Sequence, residues 1–265
     1  MQTPTDTHVP IPHIKTIDKF TEYLKRDGFI LSEPAIYLSN DDYRSNMYTG
    51  FGIAHPDLAS SGDTQWQAFL INSHNKKFSL RIGVGEETFV CTNGMIFASL
   101  GQNRTKHTKN VWEIDASGLP RWQNRINLKV RDLLKEFTKF KSITDSFKKV
   151  ELDPNMETAK RAVQSICVEA ACRGIVNDSG AVNVYKHWLE PEHPEFKKDG
   201  TVDRLRQAFT SHDRGKSYFG RGDRNVKMID LLSHRFGTLT SSGAAPVRSF
   251  DQPAVVTPVV DGGDF

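Results

Sequence analysis

The pattern of apolar and polar residues changes character along the chain. Between residues 46 and 100, short alternating or apolar runs are separated by turn-forming residues, including an Asn-Gly pair at 93–94. Such runs are typical of strands joined by tight turns. The sequence therefore predicts an antiparallel β-meander of four to five strands, at 47–53, 65–71, 78–84, 88–91 and 95–100.

A helical pattern follows the predicted meander. Between residues 121 and 150, apolar residues recur at steps of three or four, which is the period of an amphipathic helix. The stripe consists of Trp122, Ile126, Val130, Leu133, Phe137, Phe140, Ile143, Phe147 and Val150. We expect one long basic helix, or two joined near Ser142, packed on the sheet.

Shorter helical patterns surround these elements. One follows Thr16, the predicted N-cap, and ends before Gly28; another follows Asp153 and Pro154. Further short helices are predicted at 181–189, 202–209 and 226–236. Together the patterns predict an α+β fold.

The two ends of the chain differ from this body. Residues 1–14 contain three prolines, and residues 238–265 are rich in Ser, Thr, Gly, Ala and Pro without apolar periodicity. Such segments bury too little surface to offset the entropy lost on ordering. We expect a flexible N-terminus at 1–14, a single body at 15–237, and a disordered C-terminal linker at 238–265.

The linker ends in an acidic aromatic tip. Asp261, Asp264 and Phe265 combine two carboxylates, an aromatic ring and the terminal carboxylate. This combination suits a protein partner that offers a basic rim and an apolar pocket. A tail that is acidic only by chance is the alternative.

The charge distribution indicates a polyanionic partner. The net charge is +3, and residues 238–265 hold one arginine and three aspartates, a charge of −2, so the remaining 237 residues carry +5. Residues 102–150 contain twelve Lys or Arg against five acids. Within this region Arg121, Arg125 and Lys129 recur every four residues and predict a basic ridge, which Arg104 and Lys106 precede. A solvated helix face is the alternative.

A second cationic region lies between residues 209 and 224. Arg214, Lys216, Arg221 and Arg224 alternate there with the aromatic residues Tyr218 and Phe219 in a glycine-rich stretch. Aromatic rings among cations favour single-strand binding, because bases stack on rings while cations hold phosphates. The alternative places both rings in the core.

Other chemistry is weakly indicated. Cys91 with His74 or His107 is a conceivable nucleophile and base, but sequence proximity does not establish their geometry. The histidines lack metal-site spacing, so we expect no enzyme, no cofactor and no metal. No apolar run is long enough to span a membrane, which predicts a cytoplasmic protein.

Three resemblances bear on function. The segments Asn-Ser-His at 72–74, Cys-Thr-Asn-Gly at 91–94 and His107 resemble a phage and plasmid family of unknown function, with a departure at Asn75. The C-terminal tip resembles the acidic tails of phage single-stranded DNA-binding proteins, which end in Phe. A meander followed by a long basic helix is similar in outline to Rad52-like annealing proteins.

These observations predict a phage single-stranded DNA-binding protein of the host cytoplasm. Its tip would recruit phage or host proteins of replication, recombination or transcription, and a homo-oligomer remains open. The alternatives are a Rad52-like single-strand annealing recombinase and a non-enzymatic anti-defence or host-takeover protein.

Overall fold

A computed structural model describes residues 8–58, 64–88, 95–98, 105–192, 194–197, 199–214 and 221–237. Of residues 64, 87–88, 95–98 and 194–195 it describes the backbone alone. Several predicted features lie wholly or partly outside the described residues. They are the N-terminal residues 1–7, strand residues 89–91 and 99–100, residues 215–220 of the second cationic region, and the linker with its tip at 238–265.

The centre of the fold is one antiparallel sheet. Its strands, in chain order, are β1 (Ile30–Leu31), β2 (Ala35–Leu38), β3 (Asn46–Ala54), β4 (Thr64–Ser73), β5 (Arg81–Thr88) and β6 (Met95–Ala98). The strand order is β1-β3-β4-β5-β6, and β2 pairs with β3 on the same side as β1. The predicted meander is confirmed in β3 to β6, but β5 continues through residues 85–87, where a break between two strands was predicted. Strands β1 and β2 were not predicted.

Six α-helices accompany the sheet in the described chain. They are α1 (His13–Arg26), α2 (Arg121–Lys149), α3 (Met156–Cys172), α4 (Asp178–Leu189), α5 (Val202–His212) and α6 (Arg221–Phe236). Helix α2 runs unbroken over 29 residues, so the alternative of two helices joined near Ser142 is wrong. None of the helices in the described ranges is long and apolar enough to cross a membrane.

Two predicted helix starts are corrected. Helix α1 begins at His13 with Pro12 as its N-cap, and Thr16 lies buried in the first turn, where its hydroxyl donates to the His13 carbonyl. Helix α3 is capped by Asn155, whose side chain accepts hydrogen bonds from the N–H groups of Glu157 and Thr158. Asn155 therefore caps α3 by side-chain hydrogen bonds, whereas Pro12 precedes α1 without one.

The core forms where α2 packs on one face of the sheet. Trp66 of β4 lies edge-on against Phe137 and Phe140 of α2, with ring centroids 5.5 and 6.1 Å apart. The predicted stripe of α2 is buried from Trp122 to Phe147. Side chains alternate between the two faces along β4, so Phe69 points the other way and forms a smaller cluster with Tyr48.

The chain N-terminal to α1 is packed from His8 onward. His8 and Ile11 are buried, and the Val9 N–H donates to the His107 carbonyl at 3.1 Å. Packed chain therefore extends N-terminal to the boundary predicted at residue 15.

Candidate nucleic-acid interface

Two adjoining cavities form a groove whose lining includes six Lys or Arg residues. The larger, of about 470 Å³, lies beside the turn before β5, and the smaller, of about 390 Å³, lies beside the start of α2. Lys106 and Thr108 line both cavities and so join them. We call the joined cavities the basic groove; its charged residues are Lys76, Lys77, Arg81, Lys106, Arg121 and Arg125.

A backbone bridge brings the two sides of the groove together. Leu80 and Thr105 exchange N–H to carbonyl hydrogen bonds of 3.0 and 3.2 Å, which place Lys106 beside the turn that precedes β5. In that turn Lys76 adopts a left-handed conformation with φ of 66°, and the Asn75 side chain accepts the Lys77 N–H at 3.1 Å. Asn tolerates such turns well, so Asn75 stabilises the position of both lysines.

Four of the six groove cations are unpaired. Lys76, Lys77, Lys106 and Arg125 are exposed and form no ion pair with the described part of the chain. Arg81 pairs with Asp223 at 2.7 Å, and Arg121 pairs with Glu113 at 3.1 Å. None of the described lining residues is acidic. The groove therefore carries a local positive charge that nearby carboxylates only partly offset.

Phe78 adds an aromatic surface to the groove. Its ring is half-buried, with the Lys77 ammonium 5.8 Å and the Arg81 guanidinium 6.0 Å from the ring centroid. A ring flanked by cations can stack on a base whose phosphate is held nearby. Sequence reasoning placed Phe78 in a strand and missed Lys76 and Lys77, although the Lys-Lys-Phe run directly follows a predicted turn.

The predicted ridge on α2 is only partly present. Arg121 and Arg125 line the groove, but Lys129 is 9% exposed, so it does not continue the exposed ridge. A four-residue step on an α-helix turns about 40° beyond a full turn, so two steps rotate the side chain about 80° around the axis. The rotation carries Lys129 towards the core.

The predicted cationic region near α6 is largely neutralised. Arg214 pairs with Glu192 at 2.6 Å, and Arg224 pairs with Asp213 at 3.2 Å. Arg221 is buried and donates to the Asp213 carbonyl at 2.8 Å, so its prediction as a phosphate contact is wrong. Helix α6 begins at this residue, which shortens the loop predicted to reach residue 224.

The remaining predicted site residues lie outside the described residues. They are Arg104, Lys216, Tyr218, Phe219, Asp261, Asp264 and Phe265. Their roles as DNA or partner contacts stay predictions.

Histidines and the Asn-Ser-His segment hold the N-terminal chain against the groove. His8 and His74 each contact a backbone carbonyl at 2.9 Å, of His74 and Ile11 respectively. The side-chain amide of Asn72 donates to the Ile11 carbonyl at 2.8 Å. The Ile11 N–H in turn donates to Nδ1 of His107 at 3.3 Å. Of the motif residues quoted for the phage and plasmid resemblance, Asn72, His74 and His107 therefore contact one segment, and residues 91–94 lie outside the described residues.

Burial favours the neutral form of His13 and His107. Desolvation, with the nearby histidine charges, lowers the pKa of His107 to about 4, and the pKa of His13, stacked on His74 at 3.7 Å, is also lowered to about 4 by burial. Nδ1 of His107 contacts the N-terminal segment, and Nδ1 of His13 contacts Asn72. Cys91, the conceivable nucleophile, lies outside the described residues. In the described ranges no three metal-ligating side chains are grouped to hold an ion.

No known protein family matches the chain, and no curated protein or solved structure is significantly similar to it. The resemblance to the phage and plasmid family therefore stays a prediction.

Proposed function

We propose that the protein binds single-stranded DNA in the basic groove, with little sequence preference, during phage replication, recombination or transcription. The observation that supports the proposal is a set of four cations without an ion-pair partner in the described chain, which line two adjoining cavities, one of them also lined by Phe78. In this proposal the acidic C-terminal tip recruits a partner protein, on the sequence argument given above.

Counterion release supplies most of the affinity in this proposal. Lys76, Lys77, Lys106 and Arg125 are exposed and unpaired in the described chain, so they are available to phosphates without first breaking an internal ion pair. Each phosphate contact with a single strand adds about 0.7 to the negative slope of log affinity against log salt. Four contacts predict a slope of about −3.

Phe78 supplies the preference for single strands. A base stacks on an aromatic ring only when it is unpaired and turned towards the protein, and such stacking contributes about 1–3 kcal/mol per base. A duplex keeps its bases stacked inside the helix. We therefore expect the groove to bind a single strand more tightly than a duplex of the same length.

The test is a fluorescence anisotropy titration with labelled oligo-dT of about 20 nucleotides, long enough for a groove of this kind. It is repeated at several salt concentrations and with a matched duplex. We expect a slope near −3 and at least tenfold weaker duplex binding. Equal affinity for the single strand and the duplex would contradict the proposal. No measurable oligonucleotide affinity would also contradict it, and would favour a protein-binding, host-takeover role.

Charge-removing variants locate the binding site. Lys77→Gln, Lys106→Gln and Arg125→Gln should each make the slope about 0.7 less negative. Lys135→Gln is the matched control, because Lys135 is 86% exposed on α2 and lies outside both cavities. An equal change of the salt slope in the Lys135→Gln control would show that net charge, and not the groove, determines binding.

A further inference from the structure

Strand β2 forms an open apolar edge of the sheet. In the described chain it pairs only with β3, and all four of its residues are exposed. Ile36, Tyr37 and Leu38 are 48%, 45% and 40% exposed. The neighbouring Ile30 and Tyr43 are 70% and 66% exposed. This apolar surface is distinct from the residues that line the basic groove.

The hydrogen-bond register shows which backbone groups of β2 are available. The Ser39 N–H donates to the Asn46 carbonyl at 2.8 Å, so the register continues with hydrogen-bonded pairs at Tyr37 and Ala35. Bonded and non-bonded pairs alternate in an antiparallel ladder. The N–H and C=O groups of Ile36 and Leu38 therefore point away from β3, towards the open edge.

Within β2 itself, no side chain blocks pairing at this edge. Exposed edge strands commonly carry a lysine, a proline or a bulge that blocks the addition of another strand. No charged residue or proline lies within β2, and Pro34 precedes it. A strand can therefore add to β2 without removing a blocking side chain.

The charges around β2 define the kind of strand that fits. Glu33 precedes β2, Asp41 and Asp42 follow it, and no Lys or Arg occurs from residue 27 to 43. All three carboxylate residues are exposed. A second copy of β2, paired antiparallel about a two-fold axis, would bring Glu33 of one copy near the acidic end of the other. Like charges at both ends disfavour that pairing.

We propose that β2 binds an extended segment of a partner protein by strand addition. The segment alternates apolar side chains, which contact Ile36 and Leu38, and it carries Lys or Arg at both ends, next to Glu33 and Asp41. Backbone hydrogen bonds supply affinity in this mode, and side chains supply specificity. The surface is independent of DNA binding.

The probe is a synthetic peptide, acetyl-Lys-Val-Thr-Val-Thr-Val-Lys-amide, titrated into the full-length protein. Its affinity is compared with that of the same peptide carrying Glu at both ends. We expect saturable binding, with the Glu-flanked peptide about tenfold weaker, because two favourable charge contacts are reversed. Backbone amide NMR shifts should change in and next to residues 35–38.

Two variants test the edge directly. Ile36→Pro removes an outward N–H without altering charge or the ladder with β3, and Ile36→Lys adds an edge lysine. Both should reduce peptide affinity at least tenfold. Ile114→Lys is the matched control, because Ile114 is 71% exposed elsewhere, and it should bind normally. Circular dichroism confirms that each variant is folded.

Three results of the peptide experiments would overturn the proposal. They are equal affinity for both peptides, shifts located away from β2, and normal binding by the Ile36→Pro variant. A wild-type dimer in sedimentation velocity that Ile36→Lys converts to a monomer would also overturn it, since a second copy would then occupy the edge.

Discussion

Arg81 of β5 and Asp223 of α6 form an ion pair, with 2.7 Å between guanidinium nitrogen and carboxylate oxygen. The arginine is 14% exposed and the aspartate 41% exposed. This pair joins the basic groove to the C-terminal helix. It also places a carboxylate where it competes with a phosphate for Arg81.

Replacing Asp223 with Asn should increase affinity for single-stranded DNA. The substitution leaves Arg81 without its carboxylate partner, so we expect a severalfold gain and a salt slope steeper by about 0.7. The measurement is the oligo-dT titration. Asp132→Asn on α2 is the control, because it removes the same charge from a residue that does not line the groove. An equal gain in DNA affinity in this variant would contradict a local effect on Arg81.

Deleting residues 257–265 should leave DNA affinity unchanged or raise it. The deletion removes Asp261 and Asp264, and an acidic tail competes with DNA for a cationic groove. The same titration measures the effect, with the double substitution Asp261→Asn and Asp264→Asn as a control for charge alone. A large loss of affinity would show that the tail contributes to DNA binding.

Stability should fall as the pH decreases from about 6.5 to about 4. The pKa values of His13 and His107 are lowered from 6.5 to about 4 by burial, so the unfolded chain takes up protons that the folded chain excludes. Proton uptake by the unfolded state alone favours unfolding. It lowers the free energy of unfolding by about 2–3 kcal/mol per histidine at the acidic end of this range.

Urea denaturation at several pH values measures this dependence. His107→Asn keeps a hydrogen-bond acceptor for the Ile11 N–H but removes the titrating ring. The variant should show a shallower decrease between pH 6.5 and 4. An unchanged pH profile would contradict the role of His107.

A buried ionic cluster should be sensitive to the loss of one member. Arg206 of α5 is 1% exposed and contacts Asp203 of the same helix and Glu86 of β5, the latter at 3.5 Å. Asp203→Ala removes one of the two buried carboxylates that hold the Arg206 guanidinium and leaves its Nε without that acceptor, so we expect a loss of about 3–5 kcal/mol of unfolding free energy.

Urea denaturation measures that loss, with the exposed Asp18→Ala as a control expected to change stability by less than about 0.5 kcal/mol. Adding both Arg206→Met and Glu86→Gln to Asp203→Ala should recover part of the loss, because no buried charge of the cluster is then left without its partner. Failure to recover would show that Asp203 acts mainly through its position in the first turn of α5.

The sequence reveals elements whose period repeats several times. Strand β4 spans ten residues and α2 spans 29, so alternation and the helical stripe are clear in both. Strands β1 and β2 have two and four residues, too few for any period to show. Their pairing depends on the edge of β3, which a local pattern does not contain.

By itself, the sequence determined the antiparallel meander and the long helix that covers it, because those elements follow from local periodicity and turn chemistry. Only the tertiary structure decided which cations share a surface. Lys106, which the Leu80 to Thr105 bridge positions, lines one cavity with Lys77 and the adjoining cavity with Arg125, whereas Arg221 and Arg224 are held by Asp213. The physical reason is that burial and charge pairing depend on residues that lie far apart in the chain and become neighbours only when it folds.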